Sequence, residues 1–298
     1  GSMAANFQSF ARMHTDFQSA GPLWDAPAAP GGAAQTIDRN MPWQRLAIEG
    51  LRWGYDDASL EPGGGRPGGL HDVALTLRRG ERVALVGPSG GGKSTLLRAL
   101  AGLYLPTQGT LRFDDDAPRD WASLRKLATL IPQETEVFEA SVRENLTFGE
   151  PHDDAALQAA LHASAFDEVL GAMNGNLETP LAERGFNLSG GQRQRLCLAR
   201  GVLAAGGSSL LLLDEPTSAL DAATEAKVLD RIAAHFPDAC VIASIHRLSV
   251  LSHFDSVVLM EAGRVRDAGP RDEVLARQPQ LLTTLSTRRA EALPSVIP

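Results

Sequence analysis

The sequence predicts an α/β fold built on a parallel sheet, and three observations carry that expectation. Four short, nearly continuous apolar runs lie at residues 83–86, 210–213, 241–245 and 257–260. Runs of that kind suit strands covered by helices on both faces. A glycine-rich turn, Gly87, Pro88, Ser89, Gly90, Gly91, Gly92, Lys93 and Ser94, follows the first run and opens a helix with Leu96, Leu97 and Leu100 on one face. Between the first two runs, residues 138–207 form a long, mainly helical stretch.

In chain order, Gly1, Ser2 and Met3 look like a cloning scar. Residues 4–43 are rich in Ala, Pro and Gly, and Pro22, Pro27 and Pro30 break any long helix. Phe7, Phe10, Met13 and Phe17 recur at helical spacing, so that stretch reads either as a short amphipathic segment or as a disordered leader. Residues 51–55 and 73–77 alternate like half-buried strands. The glycine-rich stretch 61–69 between them has no strand-turn-helix frame, so it reads as a loop and not as a phosphate site. A short strand at 111–113 leads into Asp114, Asp115 and Asp116, which read as a solvated turn and not as a metal site.

The chain has 298 residues, enough for one large α/β domain or two small ones. A net charge of −8 argues against a nucleic-acid binder. Cys197 and Cys240 lie in apolar stretches, read as small core residues, and suit a reducing, cytoplasmic setting. No apolar run approaches the roughly 20 residues that span a bilayer.

The turn at Gly87 has the pattern G-x-x-x-x-G-K-S in a strand-loop-helix frame. Its glycines let backbone amides curl around a phosphate, and the helix N-terminus adds partial positive charge. Lys93 then reaches the β- and γ-phosphates and the Ser94 hydroxyl ligates Mg²⁺. Asp214 emerges after four leucines at the carboxyl end of a buried strand, placed to hold Mg²⁺. Glu215 follows it, placed to polarise an attacking water. Ser189 and Gln192 form an S-x-x-Q capping box for the helix carrying Leu196, Ala199 and Leu203. Two glycines in that box also expose amides to an anion. Arg193, Arg195 and Arg200 read as the polar face of the same helix and not as a nucleic-acid footprint.

Leu188, Ser189, Gly190, Gly191 and Gln192, lying between the phosphate loop and the two acids, resemble the nucleotide-binding domain of ATP-binding cassette (ABC) transporters. Glu183, Arg184 and Gly185 just before them resemble the exporter type, as do the segments 121–125, 141–145 and 216–221. The resemblance covers about residues 46 to 269. It implies a P-loop NTPase with a RecA-like parallel sheet core, an antiparallel β subdomain and an α-helical subdomain near 138–207. It also divides the chain into a linker from a missing transmembrane domain (4–43), the nucleotide-binding domain (44–275) and a C-terminal tail (276–298).

The family's site residues follow motif by motif. Catalysis would fall to Glu215, His246, Lys93 and Gln133, with His246 as the switch histidine and Gln133 bridging Mg²⁺ or water and the membrane domain. Tyr55 would stack on adenine, although an alternating strand would bury it anyway. Residues 87–95, ending at Thr95, would hold the phosphates, and Ser94, Gln133 and Asp214 would hold Mg²⁺. Ser189, Gly190, Gly191 and Gln192 would meet the γ-phosphate bound to a second chain, identical or related, and the loop from Ser218 to Asp221 would cross between the two.

The implied function is an ATP-hydrolysing motor for export, at the cytoplasmic face of a bacterial inner membrane. Two alternatives are a stand-alone importer subunit and a soluble, non-transport ABC ATPase. The chain departs from the exporter pattern in its glycine-rich insertion near residue 65 and at Gly269 to Asp272, where a histidine commonly stands.

Overall fold

The computed structural model describes residues 41–54, 69–133 and 135–279. Two sheets organise them. The larger has six strands in the order β5-β6-β7-β3-β8-β9. These are β3 (Arg82–Val86), β5 (Ala128–Ile131), β6 (Leu210–Leu213), β7 (Cys240–Ser244), β8 (Ser256–Glu261) and β9 (Arg264–Pro270). All pairings are parallel except that of β8 with β9. Each apolar run in the sequence becomes one of these strands. The four leucines of β6 are each at most 1% exposed, because helices cover both faces of the sheet. Burying one such side chain contributes about 1.5–3 kcal/mol, so the run is held as a strand by what packs on it.

The smaller sheet is antiparallel, in the order β2-β1-β4. It comprises β1 (Arg45–Gly54), β2 (Gly69–Arg78) and β4 (Gln108–Phe113). The predicted strand at 51–55 is therefore the second half of a longer one. Tyr55, the residues before 41 and the stretch 55–68 lie outside the described residues.

Helix α1 (Lys93–Leu100) follows β3, and a short helix α2 (Leu124–Leu127) leads into β5. The helical subdomain holds α3 (Val142–Thr147), α4 (Asp154–Ala163), α5 (Phe166–Ala172) and α6 (Gly190–Ala204). Helix α7 (Ala222–His235) follows β6, and α8 (Arg271–Arg277) follows β9. The subdomain has its own core, with Leu157, Leu161, Phe166, Val169 and Leu196 among its members. Ala160 and Ala163 of α4 instead join the cluster around β6 and α7. Arg231 of α7 also pairs with Asp167 and Glu168 of α5 at 3.3 and 2.8 Å.

Several expectations are corrected. Trp43 is 1% exposed and its indole N–H donates to Ser209 Oγ at 2.9 Å, so the core begins before residue 44. At the other end α8 runs to Arg277, whose guanidinium bonds Asp267 at 2.8 Å, past the expected boundary at 275. Cys240 is buried as expected, but Cys197 is only half-buried, beside the Glu136 carbonyl and Arg200.

The three arginines of α6 do not form a solvated face. Arg193 donates to the Gly185 and Leu188 carbonyls, Arg195 to that of Ala165, and Arg200 to those of Asn145 and Glu136. They tie α6 to the loops around it. Asp114 does form a turn, and its Oδ1 accepts from the amides of Gln44 and Arg45, closing the start of β1.

Candidate functional site

Parallel pairing puts the carboxyl ends of β3, β5, β6 and β7 along one edge of the sheet, where ligands bind in open α/β folds. From β3 the chain turns at Gly87, whose φ is 145°. A Cβ there would lie 2.0 Å from the Met260 carbonyl oxygen, so the residue must be glycine. Pro88, Ser89 and Gly90 are exposed and Gly91 is buried. The Gly91 amide donates to the Pro88 carbonyl at 3.0 Å. Gly92, with φ 100°, is the N-cap of α1 and makes no side-chain cap bond. The first amides of a helix lack intrahelical acceptors, so this start presents donors and a partial positive charge.

Lys93 is 6% exposed, and its ammonium donates to the Gly87 and Pro88 carbonyls at 3.0 and 3.1 Å. Ser94 and Thr95 stand half-buried in the first turn.

Two strands away, β6 delivers Asp214, which is 5% exposed. Its Oδ1 accepts from the Ser244 hydroxyl at 2.9 Å. Glu215 has φ 48°, in the left-handed region that non-glycine residues rarely adopt. Several groups hold it there. Its amide donates to Ser244 Oγ at 2.7 Å, and its carbonyl accepts from Gln194 Nε2 at 3.0 Å. Gln133, just beyond β5, donates to Glu215 Oε2 at 2.9 Å. His246, just beyond β7, places Nε2 2.5 Å from Oε1. Gln133, Glu215 and His246, predicted singly from position, thus form one cluster.

Ser189 caps α6. Its Oγ accepts from the Gln192 amide at 3.3 Å, and its amide donates to Gln192 Oε1 at 2.7 Å. Ser189 and Gly190 are exposed, while Gly191 and Gln192 are half-buried. Among the described residues, their side-chain bonds pair within the first turn of α6 and stay apart from the cluster at Glu215. Asp221 caps α7: Oδ1 accepts from the amides of Ala223 and Thr224, and Oδ2 accepts from the Thr224 hydroxyl. These bonds, the Thr224 amide foremost, hold its carboxyl below the usual range. Both oxygens thus take part in the cap.

Four residues that sequence reasoning passed over complete the arrangement. Gln194 bonds the Glu215 carbonyl, Ser218 Oγ and the Ala219 amide, joining α6 to the loop after the acids. Arg247 donates to the Leu220 carbonyl and to Glu225 at 2.6 and 2.8 Å. Glu225, 3% exposed, also accepts from Thr217 at 2.7 Å. Ser244 joins the two acids. The one visible signal for Ser244 was a hydroxyl at the end of an otherwise apolar run.

Among the described residues, no cluster of three or more His, Cys, Asp or Glu side chains could hold a metal ion. The glycine cradle, the buried Asp214 and the Ser94 hydroxyl fit Mg²⁺ bound together with phosphates. Likewise, no helix among the described residues is long and apolar enough to cross a membrane.

Comparison with known proteins agrees with this geometry. A family model described as "ABC transporter" matches residues 70–218. The mycobactin import ATP-binding/permease protein IrtB of Mycolicibacterium smegmatis is 35% identical over 256 residues, covering 85% of this chain and 42% of its own length. The ABC transporter ATM1 of Toxoplasma gondii is 33% identical over 255 residues, covering 80% of this chain and 22% of its own. A solved bacterial Atm1-family ABC exporter with ATP bound superposes with a TM-score of 0.75 at 27% identity, covering 95% of this chain and 49% of that one. The chain thus spans less than half the length of these relatives.

Proposed function

The chain belongs to the ABC transporter family, and from that premise we propose that it is the ATP-hydrolysing motor of a half-transporter of exporter architecture. It would act at the cytoplasmic face of a bacterial membrane, paired with a second nucleotide-binding domain and driving a membrane-spanning part. The observation that carries the reading is the Glu215 carboxylate, held by Gln133 and His246 at the sheet edge that also carries the phosphate loop. The ATP-binding/permease names of the relatives support a membrane partner. Those names include both import and export, so the export direction rests on the cassette's exporter-type motifs.

In this reading the loop from Gly87 to Thr95 cradles the phosphates. Lys93 exchanges its two neutral carbonyl contacts for charged phosphate oxygens, gaining charge-assisted hydrogen bonds. Asp214, Ser94 and Gln133 would hold Mg²⁺, which neutralises charge on the β- and γ-phosphates. Glu215 takes a proton from the attacking water, and the two groups on its carboxylate fix its direction toward that water. His246, on the same sheet edge, would contact the γ-phosphate. Tyr55 remains the proposed adenine contact. Ser189, Gly190, Gly191 and Gln192 would complete the site of the second chain, a reading supported by the exposure of the α6 N-terminus and the anion-binding character of helix N-termini.

Mixing two damaged proteins tests this. Lys93→Ala breaks the phosphate-loop side, and Ser189→Arg blocks the α6 side. A mixed dimer gathers both defects into one site and leaves the other intact. ATP binding at one site should return on mixing, and the specific ATPase rate of the unmodified chain should rise with protein concentration, as mass action requires. A rate per chain independent of concentration, with no gain on mixing, means a site complete within one chain and ends the two-chain reading.

A further inference from the structure

All five residues of β7 are buried, and only the last, Ser244, carries a hydroxyl. It is 1% exposed. Strand pairing sets Ser244 opposite Leu85, two residues before Gly87, and sets its neighbour Ala243 opposite Leu213 at the end of β6. From there one Oγ serves both acids. It donates its proton to Asp214 Oδ1 at 2.9 Å and accepts the Glu215 amide at 2.7 Å. The amide can only donate, so Oγ accepts there and its own proton is left for Asp214 Oδ1. A left-handed non-glycine backbone persists only where its surroundings over-determine it. At Glu215 the restraints on the backbone include this amide bond and the Gln194 bond to the carbonyl.

We infer that Ser244 is a positioning residue for the hydrolytic step: it fixes the Asp214 rotamer through Oδ1, leaving Oδ2 outside that bond, and it locks the Glu215 turn from which the carboxylate meets Gln133 and His246. Asp214 and Glu215 each need a specific direction, toward metal and toward water, and a single buried hydroxyl from the neighbouring strand sets both. The inference rests on the proposed role of Glu215.

The test compares Ser244→Ala, Ser244→Thr and Glu215→Gln. Ser244→Ala should lower kcat by about 10–10²-fold, the scale on which small misplacements act. KM for ATP should move by less than about threefold, because the phosphate loop is untouched. Ser244→Thr keeps the hydroxyl and should stay within about threefold of the unmodified kcat. In the nucleotide-free protein, amide exchange in peptides covering residues 213–218 should speed up for Ser244→Ala and not for Ser244→Thr.

Where the alanine variant fails to fold, Ser244→Cys keeps the volume with a weaker donor and should give an intermediate kcat. A full-rate Ser244→Ala beside an inactive Glu215→Gln overturns this inference and leaves the Glu215 role standing. Equal losses in the alanine and threonine variants overturn it too, since packing and not the hydroxyl would then matter. An active Glu215→Gln removes the reading beneath it.

Discussion

Just beyond β6, Glu215 is held by its amide, its carbonyl and both carboxylate oxygens, through residues from α6, from the end of β7 and from the segments just beyond β5 and β7. At the start of α6, the amide and Oγ of Ser189 bond Gln192 and its carbonyl accepts from the Arg193 amide, all within its own first turn, and the residue faces solvent. Both places suit phosphate chemistry, yet one is assembled from across the chain and the other is assembled locally. A group that must direct a proton needs its orientation fixed from several sides. A surface that meets a partner's ligand needs only a stable, exposed shape. The first arrangement is held from several sides, and the second, in the proposed reading, would be half of a site. Gln194 is the tie between them, bonding the Glu215 carbonyl while standing two residues after Gln192 on the same helix.

The largest effect that could break this comparison is at Glu215. Glu215→Gln should lower turnover by at least about 10²-fold while leaving ATP binding largely intact, read by steady-state hydrolysis beside nucleotide binding. Hydrolysis near the normal rate would remove the catalytic side of the contrast.

Cutting the tie comes next. Gln194→Ala leaves the Ala219 amide short of a partner and removes one of the two bonds to the Glu215 carbonyl, the other coming from the Ser218 amide at 3.4 Å. Stability in urea should fall by about 1–3 kcal/mol, with turnover falling alongside because the Glu215 turn loosens. An unchanged urea midpoint would show that the two regions are independent.

Ser189→Asp separates cap from site. Aspartate caps a helix as well as serine, so stability should stay within about 0.5 kcal/mol. A negative charge facing a partner's γ-phosphate should nonetheless lower ATPase activity about tenfold or more. Full activity in this variant would make α6 a structural helix and nothing else.

The smallest effect concerns the cap between the two regions. The carboxyl of Asp221 is held below its usual range by the Thr224 amide. A depressed carboxylate contributes stability that is present above the unfolded-state value, about 3.9, and is lost as pH falls through the folded-state value. Asp221→Asn should change stability little at neutral pH, since asparagine also caps well. It should flatten the acid side of the stability curve, measured by urea unfolding from about pH 5 downward.

The readings that held were local ones. The glycine cradle, the capping box of Ser189 and Gln192, and the acids after four leucines are contiguous in the chain, and their geometry follows from turn, cap and strand rules within a few residues. The apolar runs located four strands because burial on both faces demands such composition. What was misread was decided elsewhere: the arginines of α6 look like a polar stripe, and only the packed loops show the carbonyls that they meet. Cys197 looks apolar in context, and only the fold puts it beside Arg200.

By itself, then, the sequence determined that this protein has a glycine cradle, a pair of acids at a strand end and a capped helix able to face an anion. The tertiary structure alone decided that Gln133, Glu215 and His246 form one cluster, that Ser244 joins both acids, that Gln194 ties α6 to the Glu215 turn and that Asp221 caps α7. The physical reason is reach. A cap or a turn closes over three or four residues and leaves its mark in the local pattern, whereas a hydroxyl serving an acid 30 residues away is in sequence only a serine in an apolar run, until strand order brings the two together.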